Sequence, residues 1–234
     1  MSPLLVLARR EFLSFWWTVP NCIVVGITLA ISGVVFANTV TSTGSASLSG
    51  PLEQVGLILV LVVPVLTMRT LAEEARAGSL EVLLTQPVSD GVIIAGKFLG
   101  LYATLLVALA PFGLYAVFLY AYGSPAGGVV GSTLLGLVLL IGLLVALGTF
   151  TSALTASQVV AAGVAILGGL VLWSSALLER IPGQLALLSR ISALDRLRDF
   201  TSGTVETSNL VYFATLTAAA LVLATRAVST RRLR

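Results

Sequence analysis

Long runs of apolar residues alternate along this chain with short polar stretches. Six runs are long enough to cross the hydrocarbon core of a bilayer as α-helices, which takes about 20 residues. They lie at approximately residues 20–38, 52–71, 92–121, 128–153, 159–178 and 208–226. The pattern predicts an all-α, polytopic membrane protein with six transmembrane helices, in which residues 1–234 form a single membrane domain.

The segment before the first run is amphipathic. Residues 3–15 mix Arg9, Arg10 and Glu11 with leucine and phenylalanine, and two tryptophans follow. This composition predicts an amino-terminal interfacial helix whose tryptophans lie at headgroup level. A twin-arginine export signal is the alternative interpretation of the arginine pair. The repeated crossings that follow favour the interfacial helix.

Three polar connections separate the later runs. Residues 39–51 are rich in Ser, Thr and Gly and predict a flexible outer loop, and residues 151–158 predict a small inner turn. Residues 179–207 hold apolar residues at every third position with charged residues between them, which predicts an amphipathic or re-entrant helix at the outer interface. The apolar positions are Leu185, Leu188, Ile191, Leu194 and Leu197.

The densest group of mixed charges lies between Arg69 and Lys97. Gly78 is expected to end the helix that leaves the second span, because glycine tolerates the left-handed conformation of a helix end. Ser79 can then cap a new helix through its hydroxyl. Pro87 stops that helix, and Ser89 or Asp90 caps the next.

The short helix over residues 79–86 is predicted to be amphipathic. Leu80, Leu83 and Leu84 share one face, whereas Glu81 and Thr85 share the other. A rigid amphipathic helix tied at both ends to membrane spans can transmit force from a partner in water.

Two residues near this segment carry further expectations. Pro64 removes a backbone donor from the second span and is expected to kink it. The stretch from Gly91 to Lys97 has the glycine and lysine spacing of a phosphate-binding loop, but Phe98 replaces the required Ser or Thr and no strand precedes it. Lys97 is therefore expected to extend its ammonium to the inner headgroups.

Composition excludes several kinds of site. Hydrophobic residues make up 57% of the chain and charged residues 10%, with no histidine and one cysteine, Cys22. A disulfide framework or a Cys/His metal site is thereby excluded, and Cys22 is expected to be a small packing residue. Asp, Glu, Lys, Arg and His are absent from 98 to 178, which argues against an ion-coupled transporter or an intramembrane enzyme. No catalytic or metal-binding set and no nucleic-acid binding are predicted.

A small-residue face is expected in the fifth run. Ala161, Ala165 and Gly169 lie on one side of the predicted helix and permit close packing against a neighbour.

The segment from Glu73 to Ser89, Glu-Glu-Ala-Arg-Ala-Gly-Ser-Leu-Glu-Val-Leu-Leu-Thr-Gln-Pro-Val-Ser, resembles the signature loop of permease subunits of type 2 ABC exporters. It is most similar to the small six-span branch of the gliding-motility and nitrous-oxide-reductase-maturation permeases. Arg10-Glu11 followed by Pro20, the 152–155 turn with Gln158, and the 185–203 segment resemble the same family more weakly.

The resemblance implies that residues 79–86 are a cytoplasmic coupling helix that docks on a separate ATP-binding subunit. The implied partner-binding residues are Ser79, Leu80, Glu81, Leu83, Leu84, Thr85 and Pro87. It also implies an inner gate formed by Glu73 or Glu74 with Arg76. The alternative for these three residues is a solvated charge pair at a helix end, which contributes only a few tenths of a kcal/mol.

The resemblance further implies two ATP-binding subunits, a second permease subunit that is identical or related, and surrounding membrane lipids. ATP and Mg²⁺ would bind the partner, with no cofactor on this chain and no enzymatic activity of its own. The apolar spans favour export of an amphipathic or lipid-like cargo. Lysine and arginine positions predict that both termini lie on the cytoplasmic side. The resemblance implies a bacterial or archaeal cell membrane. The alternative function is a membrane anchor or assembly factor that moves no cargo.

Overall fold

The computed structural model describes residues 2–43, 49–79, 81, 85, 88–122, 127–174 and 192–232. No strand occurs among these residues, so the all-α prediction is confirmed for this part of the chain. In chain order the helices are α1 (Pro3–Trp16), α2 (Val19–Thr43), α3 (Ser49–Thr67), α4 (Arg69–Ala77), α5 (Asp90–Ala108), α6 (Phe112–Tyr122), α7 (Gly127–Leu154), α8 (Gln158–Ser174), α9 (Ala193–Thr201) and α10 (Thr207–Arg232).

Five helical stretches in the described part are long and apolar enough to cross a membrane. They are Val19–Thr39, Glu53–Ala77, Asp90–Tyr115, Gly127–Leu154 and Thr207–Arg231. Helix α8 is apolar but has 17 described residues, and the predicted fifth span continues to residues outside the described ranges. The prediction of several membrane-spanning helices is confirmed, whereas the count of six stays a prediction.

The expected flexible loop at 39–51 is wrong in extent. Helix α2 continues to Thr43 and α3 already begins at Ser49, and the residues between them lie outside the described part. The hydroxyls of Thr39 and Thr41 each donate to the carbonyl four residues earlier at 2.8 Å. These side chains bond within the helix, which lets a polar sequence remain helical.

The third predicted span is also corrected. A single helix was expected over 92–121, but the helix stops at Ala108 and resumes at Phe112. Pro111 has no N–H to donate and cannot sit inside a regular helix without losing a bond. Backbone hydrogen bonds across the break join residues three apart instead of four, as where Phe112 N donates to Leu109 O at 2.9 Å.

Helix α8 packs through small residues, as predicted. Ala161 and Ala165 are buried. A Cβ placed on Gly169 would lie 3.0 Å from the Val60 side chain of α3. Cys22, in contrast, is exposed, so its expected packing role is wrong.

The bundle has two polar ends. At the end that carries α4, an apolar cluster joins α4, α5, α7 and α10 through Leu71, Ile93, Ile94, Ala153, Ala224 and Val228. At the opposite end α9 packs on α3, α7 and α8. Phe200 of α9 lies against Gly136, and its carbonyl accepts a hydrogen bond from Ser132 at 2.7 Å. We call these the α4 end and the α9 end.

Ion pairs and amide bonds hold the α9 end together. Arg198 donates to both carboxylate oxygens of Glu53, at 2.9 and 3.1 Å, and this bond raises the pKa of the Arg198 guanidinium. Asn209 is fully buried, accepts from Arg196 at 2.8 Å and donates to Asp199 at 2.9 Å. The described part of the predicted outer segment is therefore amphipathic helix α9, while 179–191 lie outside the described residues.

Candidate coupling region and inner gate

Helix α4 leaves the bundle as an extension of α3 after a local interruption. Met68 follows the end of α3, its N–H donates to Pro64 O at 2.9 Å, and α4 begins one residue later. Gly148 of α7 lies against Thr67 here, and a Cβ on this glycine would overlap the Thr67 hydroxyl. The absence of a side chain at 148 thus allows α7 to approach the interruption closely.

Ser152 of α7 caps the start of α4. Its Oγ accepts from the backbone N–H groups of Leu71 and Ala72, at 3.0 and 2.9 Å, and donates to Met68 O at 3.0 Å. The first N–H groups of a helix have no partner within it and need one from elsewhere. A serine from another helix therefore supplies the cap that α4 lacks in its own sequence.

Helix α4 ends where the sequence predicts. Gly78 has a φ of 72°, the left-handed conformation that glycine adopts readily. The Ser79 hydroxyl donates back to Glu74 O at 3.4 Å, and Thr85 N donates to Glu81 O at 3.1 Å, which is helical spacing. Leu80, Leu83, Leu84 and Pro87 lie outside the described residues. Ser89 occupies the residue before α5 but makes no side-chain capping bond.

Lys97 does not extend to the headgroups, and that prediction is wrong. Its ammonium is 1% exposed and donates to Glu11 Oε1 at 2.7 Å, Glu74 Oε1 at 2.8 Å and Thr70 O at 3.0 Å. An ammonium has three protons, and all three are satisfied here. Buried charge is tolerated because two carboxylates and a carbonyl replace water. We call Lys97, Glu11 and Glu74 the Lys97 ion cluster; it joins α1, α4 and α5.

Two glycines let α1 reach this cluster. A Cβ on Gly96 would lie 2.8 Å from Leu7 Cβ, and one on Gly100 would lie 2.5 Å from the carbonyl oxygen of Ala8. Glycines four residues apart form a groove on one face of α5, in which α1 lies. Helix α1, the predicted interfacial helix, is therefore packed on the bundle through its Glu11 side.

We expect Gly100→Ala to push α1 away from α5, because the added methyl would also lie 2.6 Å from Glu11 Cβ. Overpacking of this kind costs about 1–3 kcal/mol. The matched control is Gly91→Ala on the same helix, where no atom lies within 4 Å. Thermal unfolding in detergent should separate the two variants, and equal midpoints would contradict the close packing of α1 on α5.

The structure brings some of the predicted site residues together and not others. Glu11 and Glu74 meet at Lys97, whereas Glu73 and Arg76 are exposed on α4 and form no ion pair with any described residue. Arg9 and Arg10 are exposed on α1. The gate role of Glu73, Glu74 and Arg76 stays a prediction. Glu74, however, belongs to a largely buried ion pair and not to a solvated one.

Sequence reasoning missed Lys97 and Ser152 as parts of this region. The spacing of Gly96 and Gly100 signals a close helix approach beside Lys97 and could have indicated burial. Nothing local distinguishes Ser152 from the other hydroxyl residues around it, because its partners are about 80 residues earlier in the chain.

The fold and this region define a multi-pass membrane protein with a polar helical arm at one end of its bundle. A family model described as ABC-2 family transporter protein matches residues 42–232, so the chain belongs to that family and is a membrane permease component of an ABC transporter. Such permeases work with an ATP-binding subunit and are generally not catalytic. None of the curated proteins with which the chain was compared matches it significantly.

Proposed function

We propose that this chain is one of two permease subunits of an ABC exporter, paired with an identical or related copy and with two ATP-binding subunits. The segment 79–86 docks on an ATP-binding subunit, and both termini lie in the cytoplasm with it. The proposal extends to the small six-span branch that the Glu73–Ser89 segment resembles. The observation that carries the proposal is that α4, which leads directly into this segment, is bonded directly to α5 and α7 and, through Lys97, to α1.

Helix α4 has the properties of a lever. Its nine residues span about 14 Å at 1.5 Å per residue. It is interrupted from α3 at Met68, held at its start by Ser152 of α7, and held along its length by Lys97 of α5. A displacement of residues 79–86 is therefore passed to α1, α5 and α7 through named bonds.

The Lys97 ion cluster has a gating role in this proposal. Closure of the ATP-binding subunits shifts α4, and Glu74 carries Lys97 and Glu11 with it because charge-assisted bonds between buried groups are strong. Glu73 and Arg76, exposed on the same helix, complete this gate. The apolar spans supply a pathway wall suited to an amphipathic or lipid-like cargo.

Co-purification with the ATP-binding subunit tests the coupling role. The double change Glu81→Lys and Leu83→Asp reverses a charge and destroys the apolar face of the 79–86 helix, so we expect at least about a tenfold loss of partner binding. Glu206→Lys, at the α9 end, is the matched control and should bind normally. Undiminished binding by the double variant would contradict docking through 79–86.

Transport separates this function from membrane anchoring. In liposomes that hold the complex, an exporter couples ATP hydrolysis to cargo movement, and the double variant loses both together. Partner binding without cargo-stimulated hydrolysis, for any amphipathic cargo offered, would favour an anchor.

A further inference from the structure

A polar cavity of about 380 Å³ lies between α1 and α4, beside the Lys97 ion cluster. Polar and charged side chains line most of it, and Phe15, Leu66 and Leu101 form an apolar wall. The charged side chains in its lining are Arg10, Glu11, Arg69, Glu73 and Glu74. Its volume is at the small end of ligand-binding sites, which run from about 300 to 1,000 Å³.

One buried atom in this lining lacks a partner. Glu74 Oε1 accepts from Lys97, but Glu74 Oε2 is buried and accepts no hydrogen bond. Lys97 cannot supply the missing donor, because its three protons already go to Glu11, Glu74 and Thr70. A buried carboxylate oxygen without a donor is costly. Among the described residues, no donor is left for this oxygen.

Charged side chains of both signs in the cavity also lack an ion-pair partner among the described residues. Arg10 and Arg69 form no ion pair with any residue that the structure describes, and Glu73 is in the same state. Guanidinium groups match phosphate oxygens, whereas carboxylates match ammonium N–H groups. The cavity therefore presents the complement of a zwitterion with one phosphate and one ammonium.

We propose that this cavity binds the headgroup of an inner-leaflet phospholipid that carries a phosphate and a primary ammonium, of the phosphatidylethanolamine type. The assignment to the inner leaflet rests on the proposed orientation, with α4 on the cytoplasmic side. Arg10 and Arg69 hold the phosphate, and Glu73 and Glu74 Oε2 accept from the ammonium. A quaternary choline headgroup has no N–H for Glu74, so the site discriminates against it. The acyl chains remain in the bilayer along the exposed apolar residues of α2, including Ile23 and Ile27.

Native mass spectrometry of the purified full chain tests this proposal. Phosphatidylethanolamine, phosphatidylcholine and phosphatidylglycerol of equal acyl length are offered together, and the retained lipid is counted. We expect about tenfold preference for the ethanolamine lipid, because one charge-assisted bond to a buried acceptor is at stake. Equal retention of the three lipids would overturn the proposal.

Matched variants localise the site. Glu73→Gln, on an exposed residue, and Arg69→Gln should each abolish the preference without unfolding the protein. Glu74→Gln should do the same and leaves Lys97 paired with Glu11. The controls Glu206→Gln and Arg226→Gln remove the same charges from exposed positions elsewhere and should keep the preference. An unchanged preference in Glu73→Gln and Arg69→Gln would overturn the assignment to this cavity.

Two further arms distinguish other occupants. Soluble phosphoethanolamine should displace the lipid weakly, and equal competition at the same concentration would overturn the lipid assignment in favour of a soluble zwitterion. Binding of the ATP-binding subunit should be normal in Arg69→Gln. Loss of that binding, together with no lipid preference in the unmutated chain, would assign the cavity to a partner side chain instead. The lipid measurement uses the permease alone, so a negative result would contradict lipid binding without contradicting coupling through 79–86. Likewise, loss of the coupling proposal would leave the lipid result unaffected.

Discussion

Lys97→Met is expected to destabilise the protein by about 3–5 kcal/mol, the typical cost of removing one partner from a buried ion pair. The change leaves Glu11 and Glu74, which are 16% and 19% exposed, without the ammonium that compensates their charge. If Lys97 instead extended to the lipid headgroups, its replacement by methionine would leave the free energy of unfolding nearly unchanged. Chemical or thermal unfolding in detergent measures the difference.

Two comparisons make the Lys97 result specific. Arg76→Met removes a cation from an exposed position on α4 and should change stability by less than about 0.5 kcal/mol. Adding Glu11→Gln and Glu74→Gln to Lys97→Met neutralises the stranded carboxylates and should recover much of the loss, because uncharged groups are cheaper to bury. Stability in the single variant equal to that of the unmutated protein would contradict the cluster.

Ser152→Ala is expected to cost about 2–4 kcal/mol, because it strands the N–H groups of Leu71 and Ala72 and the carbonyl of Met68 together. The first turn of α4 should open more often, so amide hydrogen exchange at Leu71 and Ala72 should accelerate. ATP-coupled transport should fall further than partner binding, since the lever loses its attachment to α7 while the 79–86 segment is intact.

The control for Ser152 is another serine-to-alanine change in a membrane helix. Among the residues that the structure describes, Ser174 donates to Leu170 O, four residues earlier in its own helix, and Ser174→Ala leaves no described group of another helix without a partner. Its stability and exchange should match the unmutated protein. Equal exchange at Leu71 in the two variants would mean that α4 does not depend on the α7 cap.

Periodicity and helix-end chemistry allowed much of the fold to be predicted. Apolar runs longer than the bilayer core indicated the spans, and Gly78 indicated the end of α4, because these signals are local in the sequence. The two wrong helix boundaries also have local causes. The hydroxyls of Thr39 and Thr41 keep a polar stretch helical. Pro111 divides an apolar run that composition alone predicts as one helix.

The candidate site could be predicted only where its residues lie close together in one segment of the chain. The leucines and the flanking Gly and Pro predict the 79–86 helix, which stays a prediction because the structure describes only residues 79, 81 and 85 of it. The Lys97 ion cluster joins residues 23 and 86 positions apart, and the Ser152 cap joins residues 80 to 84 apart. Such pairings depend on how the helices pack, and no pattern within a single segment identifies them.

The central claim is that an ATP-binding subunit drives this permease through the 79–86 segment, at the α4 end of the bundle. A photo-crosslinking residue is placed at position 81 or, as the control, at position 206 beside the start of α10 at the α9 end, and each complex is irradiated in membrane vesicles. The account predicts that position 81 crosslinks to the ATP-binding subunit, with a yield that changes when ATP is added, and that position 206 does not. Crosslinks from position 206 and none from position 81 would contradict it.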